Sequence, residues 1–205
     1  MKRIQALLPP KRPGTKTTVC FSDGTAWKLV PSVAEEAGLY PGMELEEEDL
    51  ARIRRANGAA SARQRAVRII SAAGVTKGDL EQRLRQKGET PEDAQNAVQW
   101  LSDLHLLDDA ETARQIVARA AARGYGAQRA RQMLYEKRVP RRYWDEALEA
   151  FPDQTEALTD FLAARLGSEP DEKTRRSAVS AAQRRGFTWQ EITEALSRLD
   201  AEPED

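Results

Sequence analysis

Apolar residues recur three and four positions apart along most of the chain, which is the spacing of amphipathic helices. Between residues 60 and 103 they form three successive stripes: Ala66, Val67 and Ile70; Leu80 and Leu84; and Ala94, Ala97, Val98 and Leu101. Helix signals stand between the stripes. Thr76 with Asp79 resembles a capping pair, Thr90-Pro91 places a cap before a proline, and Gly88 is suited to a left-handed helix end. This part of the chain therefore predicts three short helices.

The helical pattern repeats at a spacing near 50 residues, with a short insertion near residues 167 to 170. Leu84, Leu134 and Ala182 occupy equivalent places in three successive copies. We therefore predict three-helix repeats over 58–107, 108–152 and 153–205, the last with an acidic tail at 202–205. Such small units have little core of their own, so we expect them to stack into an elongated, curved rod.

The first 57 residues differ from the repeats and predict a small α/β cap. Two β-rich runs flank Asp23-Gly24, which indicates a hairpin. The other predicted elements are a short helix from Pro31 to Gly38, a strand at Met43–Leu45, a helix from Glu46 to Arg55 and a chain break at Asn57-Gly58. The predicted fold class is mainly α, with a β-hairpin-containing N-terminal cap.

Composition narrows the class of protein. The chain is 40% hydrophobic and 32% charged, its net charge is −1, and no apolar run approaches the length of a membrane span. The first ten residues are too weakly apolar for a secretory signal, so we expect a cytoplasmic protein with no membrane contact.

Catalytic and metal-binding motifs are not evident. Cys20 is the only cysteine and His105 the only histidine, which excludes a clustered zinc site or a Cys-His pair with a local signature. Gly14 to Thr17 reads Gly-Thr-Lys-Thr and lacks the spaced glycines of a phosphate-binding loop. We therefore expect a protein that is not an enzyme and binds no metal and no cofactor.

Basic residues crowd the middle repeat. Residues 114 to 142 contain nine basic side chains and a single acid, Glu136. From these we select a candidate partner-binding set: Arg129, Arg131, Arg138, Arg141 and Arg142. On a helix from Ala127 to Lys137, Arg131 and Arg138 would share a flank that Arg141 and Arg142 extend, and Arg129 would lie opposite. A polyanion or an acidic protein groove fits such a cluster, although a solvated helix face is the plain alternative.

Trp100, Trp144 and Trp189 lie on or beside predicted third helices. Base stacking is one reading of these rings, but their apolar spacing favours core packing.

The middle repeat contains a recognisable series of motifs: Leu107-Asp108-Asp109, Ala113-Arg114, Arg123-Gly124-Tyr125-Gly126 and Leu134-Tyr135-Glu136-Lys137. In this order the motifs resemble the RecX family, and the resemblance extends over about residues 60 to 200. The chain departs from the family at His105 and Arg138, where glycines are common, and at Thr112, where an aromatic residue is usual. We expect His105 and Thr112 to alter packing only, and Arg138 to change how its turn is built.

Most motif residues also have structural roles. Asp108 and Asp109 can cap the first helix of the middle repeat, and Gly124 and Gly126 permit a tight turn.

The resemblance implies a protein that binds RecA filaments on single-stranded DNA, acting as a monomer, and inhibits the recombinase, ATPase and co-protease activities of RecA. A direct DNA-binding regulator built from helix-turn-helix-like units is the alternative. The near-neutral total charge argues against strong duplex binding but leaves weak direct DNA binding open. A generic scaffold remains a third reading.

Overall fold

The computed structural model of the protein describes residues 1–12, 14–72, 74–168 and 170–201. Over these residues the chain is mostly helical, with a small antiparallel sheet at the N-terminal end. The predicted fold class is confirmed in these respects. The acidic tail at 202–205 and Glu169 of the predicted insertion lie outside the described residues.

The chain divides into two compact units. Met1–Gly74 and Leu80–Leu106 form the first, and Val75–Asp79 together with Leu107–Asp205 form the second. The predicted division into a cap and three repeats stays a prediction.

The N-terminal sheet belongs to the first unit and contains the predicted hairpin. Its strands are β1 (Lys2–Leu8), β2 (Thr17–Phe21), β3 (Ala26–Leu29) and β4 (Glu44–Leu45), in the spatial order β3-β2-β1-β4. Between β2 and β3, a carboxylate oxygen of Asp23 accepts a hydrogen bond from the backbone N–H of Thr25 at 2.9 Å, and Gly24 has a φ of +80°. The sequence did not predict β1, because Ile4 is its only fully buried residue and its alternation is weak.

Four helices complete the first unit, the third of them beginning among residues of the second unit. They are α1 (Pro31–Glu36), α2 (Glu47–Ala72), α3 (Lys77–Gln86) and α4 (Pro91–Asp103). The buried face of the sheet, with Val19 and Phe21 at its centre, packs against Leu50 and Ile53 of α2. Thr90 caps α4 as predicted, since its side chain accepts a hydrogen bond from the N–H of Asp93.

The predicted chain break at Asn57-Gly58 is wrong, because α2 continues through both residues. Oδ1 of Asn57 accepts a hydrogen bond from the N–H of Val30 at 2.8 Å, so this side chain ties α2 to the segment after β3. A Cβ at Gly58 would lie 2.5 Å from a carboxylate oxygen of Asp93 on α4. The two residues that resembled a break therefore serve packing between elements.

The remaining helices belong to the second unit. They are α5 (Asp109–Ala122), α6 (Ala127–Glu136), a 3₁₀ helix (Arg141–Tyr143), α7 (Trp144–Glu149), α8 (Thr155–Leu166), α9 (Glu172–Arg184) and α10 (Trp189–Ala201). One core joins α5, α6 and α7 around Ile116, Leu134 and Trp144, and another joins α8, α9 and α10 around Leu162 and Ile192.

Two turns of the second unit meet backbone to backbone. The N–H of Gly126 donates to the carbonyl oxygen of Arg185 at 2.9 Å, and a Cβ at Gly126 would lie 2.3 Å from the carbonyl oxygen of Gly186. Gly126 itself has an ordinary φ of −78°. This glycine is therefore needed for close approach, whereas Gly124, with a φ of +62°, forms the turn.

The predicted caps are partly correct. Asp108 caps α5, accepting hydrogen bonds from the N–H groups of Ala110 and Glu111 at 2.9 Å each. Asp109 is buried and instead accepts a hydrogen bond from the N–H of Lys77 at 2.8 Å. The expectation that Asp109 caps its own helix is therefore wrong, because its side chain is engaged by the first turn of α3.

The prediction that the three tryptophans pack in the core is wrong at one of them. Trp144 is buried and Trp100 is half-buried, but Trp189 is 64% exposed. Trp189 is the first residue of α10, and side chains tilt towards a helix's N-terminus. Its ring therefore projects past the end of the core stripe at Ile192 and Ala195. Val67, which we had placed in an apolar stripe, is also exposed.

Candidate partner-binding site

Some basic residues of the middle repeat form ion pairs within the protein, so their charges are less available to a partner. Arg114 contacts Glu111 at 3.1 Å and Glu146 at 3.0 Å. Hydrogen bonds from Gln115 and then from Arg114 lower the pKa of the Glu111 carboxyl, and the bond to Glu111 raises the pKa of Arg114. Arg114 therefore stays fully charged but has its own counterions.

Two further cations are also held by acids of the second unit. Arg129 lies 3.1 Å from Glu136 on α6, and its backbone packs against Gly186. Lys137 lies 3.8 Å from Asp79. Of the five predicted binding arginines, Arg129 is thus the one whose charge is partly neutralised within the protein.

The other cations of the stretch are exposed. They are Arg119, Arg123, Arg131, Arg138, Arg141 and Arg142. Within residues 1–12, 14–72, 74–168 and 170–201, none of these six forms an ion pair with a carboxylate. The last four follow one another from α6 to the start of α7, and we call them the middle basic cluster.

The middle basic cluster borders an open cleft of about 540 Å³. The lining residues are Tyr135, Glu136, Arg138, Val139, Pro140, Arg141 and Trp144. The structure thus brings Arg138 and Arg141 to one cleft, whereas Arg131 and Arg142 are not among its lining residues. The guanidinium of Arg141 lies 4.0 Å from the centre of the Trp144 ring. The indole N–H of Trp144 donates to the carbonyl oxygen of Val139 at 2.9 Å.

Arg142 is also placed by an aromatic ring. Its guanidinium lies 4.7 Å from the ring centre of Tyr143 and donates to the Tyr143 hydroxyl at 3.1 Å. Stacking orients Arg141 and Arg142 without neutralising them, because the ring supplies a quadrupole and no net charge. Both remain available to an anionic partner.

Arg138 lies beyond the end of α6, so a helical wheel does not describe its position. Its φ is +54°, in the left-handed region, and its N–H donates to the carbonyl oxygen of Tyr135. The prediction that Arg131 and Arg138 share a helix flank is therefore wrong. The expectation of an altered turn is also corrected, since the arginine adopts the conformation that glycine favours.

Tyr135 lines the candidate site and was not predicted from the sequence. Its side chain is 69% exposed although it follows the fully buried Leu134. An aromatic residue outside the stripe of Ala130, Met133 and Leu134, and next to a basic cluster, was the available signal. Exposed Tyr and Arg side chains together are typical of binding surfaces.

We also searched the described part of the chain for a metal site and for a membrane-spanning helix. No group of three or more His, Cys, Asp or Glu side chains there is arranged to hold a metal ion. None of the helices in that part is long and apolar enough to cross a membrane.

Comparison with known proteins gives the family. Residues 108–148 match the family model described as RecX, second three-helix domain. The regulatory protein RecX of Chromohalobacter salexigens is 30% identical over 142 residues, which is 67% of this chain and 92% of that protein. RecX of Chlorobaculum tepidum is 31% identical over 140 residues, 66% of this chain and 86% of that protein. The chain belongs to the RecX family.

Solved structures of RecX family members share the fold. A crystal structure of regulatory protein RecX superposes with a TM-score of 0.62 at 22% identity and covers 95% of this chain and 100% of its own. The crystal structure of RecX from Lactobacillus salivarius superposes with a TM-score of 0.59 at 20% identity. It covers 72% of this chain and 99% of its own. These structures show that the fold is shared, while the sequence relatives identify the chain as a RecX-type regulatory protein. Residues 108–148 contain all five predicted binding arginines.

Two of the three departures from the RecX pattern, His105 and Arg138, have a common structural meaning. His105 has a φ of +55°, close to that of Arg138, and its N–H donates to the carbonyl oxygen of Ser102. The expectation that His105 changes packing only is therefore wrong, because it too occupies a left-handed helix end. Gly88, Gly124 and Gly186 occupy the matching positions after α3, α5 and α9.

Proposed function

We propose that this RecX family protein is a negative regulator of RecA that binds RecA filaments on single-stranded DNA. In this proposal it inhibits the recombinase, ATPase and co-protease activities of RecA, acts as a monomer, and is not itself an enzyme. The middle basic cluster forms the contact, and Arg129, which is paired with Glu136, contributes to it most weakly.

The observation that carries the proposal is four neighbouring arginines without internal counterions, in the segment that matches the RecX model. Long cationic side chains left unpaired on a surface attract an anionic partner, and guanidinium groups bind carboxylates and phosphates in two-pronged geometry. The open cleft between Arg138 and Arg141 also offers the exposed ring of Tyr135. A RecA filament on DNA presents both carboxylates and phosphates, so either can occupy this surface.

The direct test is a titration of the protein into RecA assembled on single-stranded DNA while ATP hydrolysis is monitored. We expect hydrolysis to fall as the protein approaches the concentration of RecA. Unchanged hydrolysis at comparable concentrations would remove the proposal and leave the DNA-binding or scaffold readings.

The site is tested by the triple variant Arg131→Glu, Arg138→Glu, Arg142→Glu. We expect more than tenfold weaker inhibition, which requires only about 1.4 kcal/mol in total. The control is Lys173→Glu, Arg184→Glu, Arg198→Glu, an equal change of charge at exposed positions of α9 and α10. The helicity and melting temperature of both variants must match the parent, because arginine stems also pack against their surroundings. Equal inhibition by the two variants would place the contact elsewhere.

A further inference from the structure

After its acidic first turn, α2 carries charge of one sign only. From Leu50 to Ala72 the helix contains six arginines and no acidic residue. Arg54, Ser61, Arg65 and Arg68 are separated by seven, four and three residues, so steps of 100° bring them within about 40° of one direction. Arg54 and Arg68 then lie about 21 Å apart along the helix axis. One face of α2 thus carries three arginines in a line, with Ser61 between the first and the second.

The N-terminal cap adds to this face. Lys16, immediately before β2, places its ammonium nitrogen 3.3 Å from the hydroxyl oxygen of Ser61. The carbonyl oxygen of Gly14, in the β1–β2 loop, accepts a hydrogen bond from Arg68 at 3.1 Å. Lys87 follows α3 and lies at the same pocket, whose volume is about 400 Å³. Segments distant in sequence therefore converge on one basic pocket of the first unit.

The pocket is held in shape by a single acid. The Glu89 side chain, 8% exposed, lies 2.8 Å from Arg65 and accepts a hydrogen bond from Ser61 at 3.2 Å. A second donor nitrogen of Arg65 contacts the carbonyl oxygen of Lys87 at 3.0 Å. Within the described part of the chain, Lys16, Arg68 and Lys87 form no ion pair with a carboxylate. Three cations without counterions of their own thus line an open pocket, and hydrogen bonds hold two of them, Lys16 and Arg68.

Near the N-terminal end of the same face of α2, Arg54 lies against the ring of Trp27 from β3. The guanidinium of Arg54 lies 4.5 Å from the centre of the Trp27 ring, beside Lys28 and Asn57, at a second pocket of about 290 Å³. Arg54 is exposed, so its outer guanidinium face is open to a further planar group. Nucleobases stack on such guanidinium planes, and duplexes keep their bases inside.

We propose that Arg54, Lys16, Arg65, Arg68 and Lys87, which we call the α2 track, bind the phosphates of a single-stranded nucleic acid. Arg54 on Trp27 gives a platform for one of its bases. Cations that follow a backbone beside a stacking platform are the usual arrangement of sequence-tolerant single-strand sites. The N-terminal cap thereby gains a function, since Lys16, Gly14 and Trp27 all belong to it. It does not depend on RecA.

The test measures the fluorescence anisotropy of a labelled oligothymidylate with the full chain and without RecA. The track variant is Lys16→Glu, Arg68→Glu, which leaves the Arg65–Glu89 pair intact. The control is Arg52→Glu, Arg63→Glu, an equal charge change on the opposite face of the same helix. We expect the track variant to bind more than about tenfold more weakly and the control to stay within about threefold of the parent.

Salt dependence provides a second readout. Loss of two phosphate contacts should flatten the log–log slope of affinity against salt by about 1.4, at about 0.7 per contact to a single strand. If the glutamate variant loses its cooperative melting transition, Lys16→Gln, Arg68→Gln takes its place, with the same direction of change expected.

Four results would overturn the proposal. They are no binding of oligothymidylate by the parent, equal losses in the track and control variants, equal affinity for a duplex of the same length, and competition by polyglutamate as effective as that by unlabelled oligothymidylate. The last would identify an acidic protein surface as the occupant.

Discussion

The middle basic cluster and the α2 track are both rich in cations, but they are held in different ways. In the middle basic cluster, Arg141 and Arg142 lie on aromatic rings close to them in sequence, within four residues of chain. In the α2 track, Arg65 and Arg68 are fixed by Glu89 and by backbone carbonyls of other segments. A cluster dense in sequence is therefore visible without a fold, whereas the track exists only after folding.

Because their cations are held differently, we expect the middle basic cluster and the α2 track to bind different kinds of partner. The middle basic cluster offers exposed guanidinium groups around an open cleft with an exposed tyrosine, which suits a protein groove or a nucleoprotein. The α2 track offers a line of fixed charges, which suits a regular polyanion. Four predictions test this comparison, from the largest expected effect to the smallest.

We expect the largest loss of stability from a substitution in the helices that hold the middle basic cluster. Leu134 is fully buried between α5, α6 and α7. Leu134→Ala should lower the free energy of unfolding by about 2 to 5 kcal/mol, measured by chemical denaturation. Tyr135→Ala, at the exposed neighbouring position, should change it by less than about 0.5 kcal/mol. A loss at Leu134 no larger than at Tyr135 would mean that α6 does not anchor the cluster.

Each region also contains one glycine at a close approach, but only one of the two glycines faces a rigid neighbour. Gly126→Ala should cost about 1 to 3 kcal/mol, because the new Cβ meets the backbone of Gly186 and neither turn can yield easily. Gly58→Ala should be close to neutral, because Asp93 can move its side chain and alanine favours a helix by about 1 kcal/mol over glycine. Thermal melts of both variants check this. Similar losses of stability in the two variants would contradict the predicted difference between the two glycines.

The two cationic surfaces should act independently. The triple arginine reversal should weaken inhibition of RecA more than tenfold, about 1.4 kcal/mol, with little change in oligothymidylate binding. The Lys16→Glu, Arg68→Glu variant should weaken oligothymidylate binding by a similar factor in the absence of RecA. Both variants are measured in both assays. If either variant lowers both activities equally, the two surfaces are one functional site.

The smallest effect concerns two left-handed residues. Arg138→Gly and His105→Gly should each raise the free energy of unfolding by about 0.5 to 1 kcal/mol, since glycine adopts a positive φ without steric cost. Only Arg138→Gly should weaken RecA inhibition, because His105 lies outside the middle basic cluster. Denaturation and ATPase assays on the same preparations separate the two consequences. A variant at Arg138 that gains stability and keeps full inhibition would exclude this arginine from the contact.

The helices, caps and turns were largely readable from the sequence. Thr90-Pro91, Asp108 and the left-handed Gly88 and Gly124 act through neighbours within a few residues, so a local pattern is enough to predict them. The density of arginines from Arg129 to Arg142 was visible for the same reason. Asn57-Gly58 was misread because the local signal for a turn is the same as the composition that a close helix contact requires.

The sequence by itself determined the mainly helical class, the family resemblance and the existence of a basic middle segment. The tertiary structure alone decided which cations are free. Arg129 and Lys137 are paired with Glu136 and Asp79, and Arg138 and Arg141 border one cleft. It also decided that Lys16 meets Ser61 and Arg68 meets Gly14, across 45 and 54 residues of chain. Helix signals follow from the backbone of a few adjacent residues, whereas a pair such as Lys137 with Asp79 depends on packing between segments that no local pattern encodes.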